Sequence, residues 1–309
     1  TAAGCCLFYP SASLHLYPLF LFGFFVLASG ITILQVAANP YVAALGPEKT
    51  AASRLNLAQA ANSFGTTVGP IVGAALILGV VAADASAVQG PYLMIAGLLI
   101  AAALVFRNIK LPVLTHMESE EKAEGSVWEH RHLVLGALAI FLYVGGEVSI
   151  GSFLVNYFSE STIGGLTTAE AGEMVAYYWG AAMIGRLIGA VLMNYIADTK
   201  YLAINAVIAI VMIVVSMNTS GSVAMWSILA VGFFNSIMFP TIFTLAVKGL
   251  GSMTSKGSGF VCQAIVGGAL IPLVQGVAAD TMGIQLSFIV PMLCYIYIGW
   301  YALRGADQS

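Results

Sequence analysis

Long apolar stretches separated by short polar ones run along the whole chain. Six of them contain no Asp, Glu, Lys or Arg: residues 1–47, 55–83, 85–106, 201–247, 257–279 and 281–303. A helix needs about 20 apolar residues to cross a bilayer, so each stretch can span a membrane at least once. The two longest exceed one crossing and contain turn-forming residues, Pro10 to Pro18 and Asn218 to Gly221. We therefore interpret each of these two as a pair of helices.

The apolar stretches show no two-residue alternation, so helices are predicted in preference to the strands of a membrane barrel. We predict a partial helix at 1–13 and complete helices at 17–45, 54–79, 90–107, 132–158, 171–196, 201–217, 222–248, 257–279 and 284–303. The fold class is thus an all-α polytopic membrane protein with about nine complete transmembrane helices and a partial one. Because Thr1 is not Met and the chain starts inside an apolar stretch, we expect an N-terminal truncation.

One long polar stretch divides the chain. Residues 108–131 carry five glutamates, and we predict a linker there between a partial N-terminal helical bundle at 1–107 and a six-helix C-terminal bundle at 132–309. If the linker is cytoplasmic and the helices alternate, ten of the eleven Lys and Arg residues lie inside. This is the positive-inside pattern. We expect a multi-pass protein of the inner (plasma) membrane, with the linker and the C-terminus in the cytoplasm.

Composition excludes several classes of protein. The chain is 60% hydrophobic and 8% charged, whereas soluble domains carry about 25% charged residues. No basic patch suggests nucleic acid, and the histidines and cysteines lack the spacing of metal ligands. There is no Walker motif, dinucleotide fingerprint or nucleophile elbow. We therefore expect neither an enzyme nor a metal or other cofactor, and we expect a monomer in the lipid bilayer.

Amide side chains inside the apolar helices are the strongest candidates for a binding site, because polar groups in a membrane need a partner or a function. Asn56, Gln59 and Asn62 recur every three residues and share one helical face. Amides both donate and accept hydrogen bonds, as sugar hydroxyls do. The alternative, that the amides join helices to one another, remains open. The predicted sugar-binding residues are Gln35, Asn39, Gln59, Asn62, Asn235 and Gln263.

Two charged residues lie well inside predicted helices. Glu147 could carry a coupling proton, help to hold a sodium ion, or serve as a structural partner for Arg186. For Arg186 a gating or structural ion pair is favoured over sugar contact. Tyr177, Tyr178 and Trp179 precede Arg186 in the same helix, near its predicted outer end. We expect them to anchor the helix at the membrane interface, or one of them to stack on a sugar.

A weak internal repeat supports two related bundles. Gln35 precedes Pro40 by five residues, and Asn235 precedes Pro240 by the same interval. Gln-Ala then recurs in the following helix of each half, at Gln59 and at Gln263, and a glycine-rich apolar run follows both. Parallel repeats of this kind occur in the major facilitator superfamily.

Several motifs resemble the fucose-galactose-glucose:proton symporter family of that superfamily. Those similar to its fourth and fifth helices are residues 35–41, 45–48, 54–59 and 62–65, and those similar to its eighth and tenth helices are residues 179–180, 185–186 and 234–241. The resemblance implies the major facilitator fold and a secondary active transporter that imports a monosaccharide (fucose, glucose, galactose or an amino sugar) by cation-coupled symport with alternating access. It also implies sugar contact at Gln59 and Asn62.

One position departs from the family pattern. The fucose-carrying branch has a proton-titrating Glu just before the Ala-Ala-Asn-Pro run, where this chain has Gln35. An amide cannot take up a proton near neutral pH. The coupling role is therefore expected at Glu147 or on the first helix of the family, and H⁺ and Na⁺ both remain open as the coupling ion.

Two rival functions stay in view. An exporter of a non-sugar solute on the same scaffold would line its cavity with aromatic and aliphatic side chains, and the amide stripe disfavours it. A non-transporting membrane receptor or scaffold would use the amides only to join helices.

Overall fold

The computed structural model describes residues 1–73, 85–112 and 126–306. In these residues every regular element is helical, which confirms the all-α fold class. The α-helices are α1 (Ala2–Ser13), α2 (Tyr17–Ala44), α3 (Ala51–Gly73), α4 (Gln89–Asn108), α5 (Arg131–Ser159), α6 (Thr168–Leu192), α7 (Asp198–Asn218), α8 (Gly221–Asn235), α9 (Met238–Val247), α10 (Thr254–Gln263), α11 (Gly267–Met282), α12 (Ile284–Ser287) and α13 (Ile289–Trp300). Short 3-10 turns lie at Glu48–Thr50, Ala85–Val88, Val127–Glu129, Gly251–Met253 and Ala264–Val266, and a π-turn at Tyr301–Gly305.

Eight helical stretches among the described residues are long and apolar enough to cross a membrane. They are Tyr17–Ala44, Ser86–Asn108, Arg131–Ser159, Thr168–Leu192, Asp198–Asn218, Gly221–Val247, Gly251–Met282 and Ile284–Gly305. The described part of α3 is not among them, since Arg54 and the amide stripe lower its hydropathy. The end of the predicted helix 54–79, from residue 74, and residues 113–125 of the predicted linker lie outside the described residues.

The predicted helix breaks at Pro10 to Pro18 and at Asn218 to Gly221 are confirmed, because α1 ends at Ser13 and α7 ends at Asn218. Three helices predicted as continuous are interrupted, however.

The interruptions fall between α8 and α9, between α10 and α11, and between α12 and α13. Proline lies shortly after the first and third breaks, at Pro240 and Pro291, whereas Pro272 lies inside α11. A proline removes the hydrogen bond to the carbonyl four residues earlier and crowds that turn.

Contacts between residues group the chain into two compact units. Unit 1 comprises residues 1–38 and 68–114, and unit 2 comprises residues 39–67 and 115–309. Helices α2 and α3 therefore each contribute to both units. The predicted division into an N-terminal bundle, a linker and a C-terminal bundle describes the order of helices along the chain and stays a prediction.

Unit 1 is built around aromatic contacts between α1, α2 and α4. The ring of Phe8, which is fully buried, lies 4.8 Å from that of Phe24 and 4.1 Å from that of Tyr92, centroid to centroid. At the end of α1, Ser13 accepts a hydrogen bond of 2.9 Å from the side chain of Gln89. Buried aromatic pairs of this kind contribute about 0.5–1.5 kcal/mol beyond their apolar area.

In unit 2, α5 is the central helix and contacts α6, α9, α11 and α13. Its approach to α11 depends on glycine. A Cβ atom at Gly267 would lie 2.6 Å from the carbonyl carbon of Phe141, and one at Gly145 would lie 2.7 Å from the Cβ of Ile271. Small residues let membrane helices pack closely without a hydrophobic driving force.

Gly267→Ala is accordingly expected to lower the free energy of unfolding by about 1–3 kcal/mol, because the added methyl group forces α11 away from α5. Gly259→Ala is the matched control: a Cβ there meets no described atom within 4 Å. Thermal unfolding of the two variants in detergent measures the difference. Equal Tm values would contradict this explanation of the α5–α11 contact.

Candidate functional site

The two charged residues predicted inside helices form an ion pair. Nη2 of Arg186 on α6 lies 3.7 Å from Oε1 of Glu147 on α5, and the two side chains are only 10% and 11% exposed. Among the described residues Oε1 of Glu147 has no hydrogen-bond partner. The structural pairing that the sequence left open is thus present, and a coupling or gating role for the pair stays a prediction.

The Arg186 side chain also contacts two further helical segments. Its Nε donates to the carbonyl oxygen of Ser236 at 3.0 Å. That carbonyl lies four residues before Pro240, which has no N–H to offer it. On the other side, Nη1 donates to the carbonyl oxygen of Gln59 at 3.4 Å and to Oγ of Ser63. One guanidinium therefore joins α3, α5, α6 and the break between α8 and α9.

Side chains of α3 also bond the backbone of α6. Oγ of Ser53 donates to the carbonyl oxygen of Ala190 at 2.5 Å, and Nδ2 of Asn56 donates to the carbonyl oxygen of Arg186 at 2.8 Å. A Cβ at Gly189 would lie 2.9 Å from Nδ2 of Asn56, so glycine is what allows this approach. Asn56, one of the three amides of the sequence stripe, joins helices and is fully buried.

A second buried cluster surrounds Asn235. Its Nδ2 donates to the hydroxyl of Tyr178 at 2.7 Å and to the hydroxyl of Tyr295 at 3.1 Å, and none of the three side chains is exposed. The Tyr178 hydroxyl in turn donates to the carbonyl oxygen of Glu147 at 3.3 Å. The cluster therefore adjoins the ion pair.

Sequence reasoning missed both tyrosines. Tyr178 was expected at the membrane interface and is instead buried, because Gly232 lets α8 pack directly against it. Its neighbour Tyr177 is 57% exposed, as an interfacial anchor would be. The sequence does indicate a buried hydrogen bond at Tyr295, since the hydroxyl of a tyrosine inside an apolar run needs a partner.

Gln59 and Asn62 lie together on α3. Nδ2 of Asn62 donates to Oε1 of Gln59 at 3.4 Å. Gln59 is half-buried and Asn62 is exposed, so neither side chain is consumed by contacts with other helices that the structure describes. The pair presents free donors and acceptors, while the backbone carbonyl of Gln59 is the one that Arg186 contacts.

The remaining predicted sugar-binding residues are placed differently. Asn39 is buried near the end of α2, and its Nδ2 has no hydrogen-bond partner among the described residues. Gln263 is exposed at the end of α10, and Gln35 is half-buried in the part of α2 that belongs to unit 1. The hydrogen bonds described for unit 2 do not connect Asn235 with Gln59 or Asn62.

A cleft of about 690 Å³ lies beside these contacts in unit 2. Its walls come from the end of α2, the start of α3 and the segments after α6 and α9, and include Lys49, Asn194, Asp198 and Lys248. None of the predicted sugar-binding residues within the described ranges lines it.

Known proteins are similar in sequence to this chain over nearly all of its length. The model of the Major Facilitator Superfamily matches residues 1–272. The glucose/galactose transporter of Brucella abortus is 56% identical over 99% of this chain and 76% of its own length. The putative glucose/galactose transporter of Helicobacter pylori is 47% identical over 100% of this chain and 79% of its own length.

Crystal structures of the fucose:proton symporter FucP of Escherichia coli share the fold. Two of them, one in the outward conformation, each superpose with a TM-score of 0.91 at 33% identity. Each match covers 100% of this chain, and 81% and 82% of the respective FucP chains. These proteins are transporters, which agrees with the prediction that the chain is not an enzyme. Sequence and structure together establish that the chain belongs to the major facilitator superfamily.

Proposed function

We propose that this protein is a secondary active transporter that imports a monosaccharide by cation-coupled symport with alternating access. The observation that carries the proposal is the pair of uncommitted amides on α3, Gln59 and Asn62, in a chain 56% identical to a glucose/galactose transporter. An amide side chain of a membrane helix that has no hydrogen-bond partner on another helix costs free energy unless it contacts water or a polar ligand. A hydroxyl-rich sugar supplies both donors and acceptors to them.

Within the proposal, Gln35, Asn39, Asn235 and Gln263 complete the sugar-binding set, and Glu147 with Arg186 serves coupling or gating. Transport then proceeds as the two predicted bundles alternate around a site at the membrane midplane. The transporter works in the inner (plasma) membrane as a monomer, with residues 108–131 and the C-terminus in the cytoplasm. It requires no cofactor apart from the coupling cation.

Glucose and galactose are the first substrates to test, because the relatives with the higher identity carry those sugars in their names. The full-length protein reconstituted in liposomes loaded with unlabelled glucose should exchange external labelled glucose or galactose. L-Fucose added outside should compete if the site also accepts a 6-deoxy sugar. Exchange is expected in the absence of any ion gradient, since counterflow needs only alternating access.

The rival functions give different results in the same assay. A receptor or scaffold produces no counterflow of any sugar. An exporter of a non-sugar solute produces none with hexoses but exchanges an apolar compound. Either outcome would overturn the proposal.

A further inference from the structure

A second cleft in unit 2 lies at the opposite end of α6 from the cleft described above. It has a volume of about 680 Å³, and its walls come from the end of α5, the start of α6, the end of α11 and the start of α12. An adjoining cavity of about 320 Å³ shares Glu160, Gly283 and Ile284 with it. Sites for small molecules usually measure about 300–1,000 Å³, so the cleft is large enough to hold one.

The predicted topology places this second cleft on the outer side of the membrane. Helix α5 starts directly after the linker that is predicted to be cytoplasmic, so the end of α5 faces outward. Glu160 follows that end, and Asp280 lies near the end of α11 on the same side. We call this cavity the outer cleft. A solute outside the cell can reach it without crossing the membrane.

The lining of the outer cleft combines three kinds of group that a sugar can use. Asn156 and Thr168 are exposed and can both donate and accept hydrogen bonds, whereas the carboxylates of Glu160 and Asp280 accept them. The half-buried ring of Phe153 adds an apolar surface that suits the C–H face of a sugar. No Lys, Arg or His is found among the described residues that line the cleft. An anionic ligand is therefore disfavoured.

Small residues keep the outer cleft open. A Cβ atom at Gly276 would lie 3.8 Å from Cζ of Phe153, so a longer side chain at this position would fill the space beside the ring. Ala279 continues the same wall one turn along α11. Gly283 has a φ of 87°, a backbone conformation that favours glycine.

A buried acceptor lies directly behind the wall of the outer cleft. Nε2 of Gln275 donates to Oγ of Ser287 at 3.3 Å, and this hydroxyl donates to the carbonyl oxygen of Ile284 at 2.6 Å. Ile284 itself lines the cleft. Gln275 is fully buried, and within the described part of the chain its Oε1 has no hydrogen-bond partner. A buried acceptor without a donor costs free energy, which a ligand hydroxyl can recover.

We propose that the outer cleft is a second binding site for a monosaccharide, either neutral or carrying an amino group. Asn156, Thr168 and the two carboxylates bond its polar groups, Phe153 covers its apolar face, and a hydroxyl that enters beside Ile284 donates to Oε1 of Gln275. The site holds a sugar at the outer face, more weakly than the α3 site does, because most of its polar lining is exposed to water. It does not use Gln59 or Asn62, so the inference goes beyond the proposed function.

Protection of an introduced cysteine tests the site directly. In the full-length protein with Gln59→Ala and Asn62→Ala, which removes the α3 amides, Ser159→Cys is labelled from outside with a charged thiol reagent that does not cross membranes. Glucose should slow the labelling. At about pH 6, where an amine carries a proton, glucosamine should do so at about a fivefold lower concentration because of the two carboxylates. Gluconate, an anion, should not protect.

Ser161→Cys is the matched control for this labelling. Ser161 is exposed in the same loop and does not line either cavity. Its labelling rate should be the same with and without sugar. The parent protein without an added cysteine gives the background from its own thiols.

Three further variants separate the contributions of the lining. Replacing Glu160 by Gln together with Asp280 by Asn should remove the preference for glucosamine and keep the protection by glucose. Gln275→Leu should raise the glucose concentration needed for half-protection about three- to tenfold, the effect of one lost hydrogen bond. If Gln275→Leu fails to fold, Asn156→Ala, at an exposed side chain, replaces it and should show the same loss. Glu173→Gln, an exposed carboxylate on α6 outside the cleft, should change neither result.

Several results would overturn the inference. Protection that occurs only when the α3 amides are intact would mean that sugar bound at α3 changes the outer cleft indirectly. Equal protection by gluconate, protection by calcium ions in place of sugar, or equal protection at Ser161→Cys would also contradict a sugar site here. Normal counterflow without any protection would overturn this inference alone, and protection without counterflow would overturn the proposed function alone.

Discussion

Alanine at Gln59 or at Asn62 is expected to weaken glucose or galactose binding at least about 30-fold, or about 2 kcal/mol. Loss of either amide would leave sugar hydroxyls without a hydrogen-bond partner. The fold should tolerate both changes, because the described hydrogen bond of these side chains is the one they make to each other. The backbone carbonyl of Gln59, which Arg186 contacts, is kept in the alanine variant.

Asn218→Ala is the matched control for this loss. Asn218 is an exposed amide at the end of α7, and within the described part of the chain its side chain bonds the carbonyl of Val214 in its own helix, at 2.8 Å. Equilibrium binding of labelled sugar to purified protein, together with Tm, separates loss of the site from loss of the fold. Unchanged affinity in both α3 variants would refute the sugar-binding role of the stripe.

Arg186→Met is expected to cause the largest loss of stability, about 3–5 kcal/mol, because it leaves the buried Glu147 carboxylate without its counter-charge. The change also removes the described hydrogen-bond donor to the carbonyl oxygen of Ser236. Pro240 has no N–H to offer this carbonyl in its place. Adding Glu147→Gln to the same chain should recover a large part of the loss, since no unpaired charge then remains.

Arg131→Met, at an exposed arginine at the start of α5, is the control and should change stability little. Denaturant or thermal unfolding in detergent gives the four values of a double-mutant cycle when Glu147→Gln is also measured alone. Additive losses would mean that the two residues do not interact. A clear coupling energy between them is expected.

The positions of the helices could be predicted from the sequence, because a segment that crosses a membrane must be long and apolar. Charged residues are therefore concentrated in the loops. Their exact starts depend on local capping. Helix α6 begins at Thr168, three residues before the predicted start, since Thr167 and Glu170 form a capping box that the sequence already contained. The break after Asn235 was likewise encoded in Pro240.

The contacts of the candidate site could be predicted less well from the sequence, because they depend on which helices pack against each other. Periodicity put Asn56, Gln59 and Asn62 on one face, yet the structure gives Asn56 a structural bond to α6 and leaves the other two uncommitted. Nothing in the local sequence connects Arg186 with Ser236. Their contact arises from two helices packed together at Gly185, where a Cβ would lie 3.0 Å from that of Ser236.

A structure of the protein with glucose or galactose bound is the most direct measurement of the central claim. We predict sugar hydroxyls within about 3 Å of the side-chain amides of both Gln59 and Asn62. A bound sugar that touches neither amide, or an α3 whose two amides stay bonded only to protein when sugar is present, would contradict it.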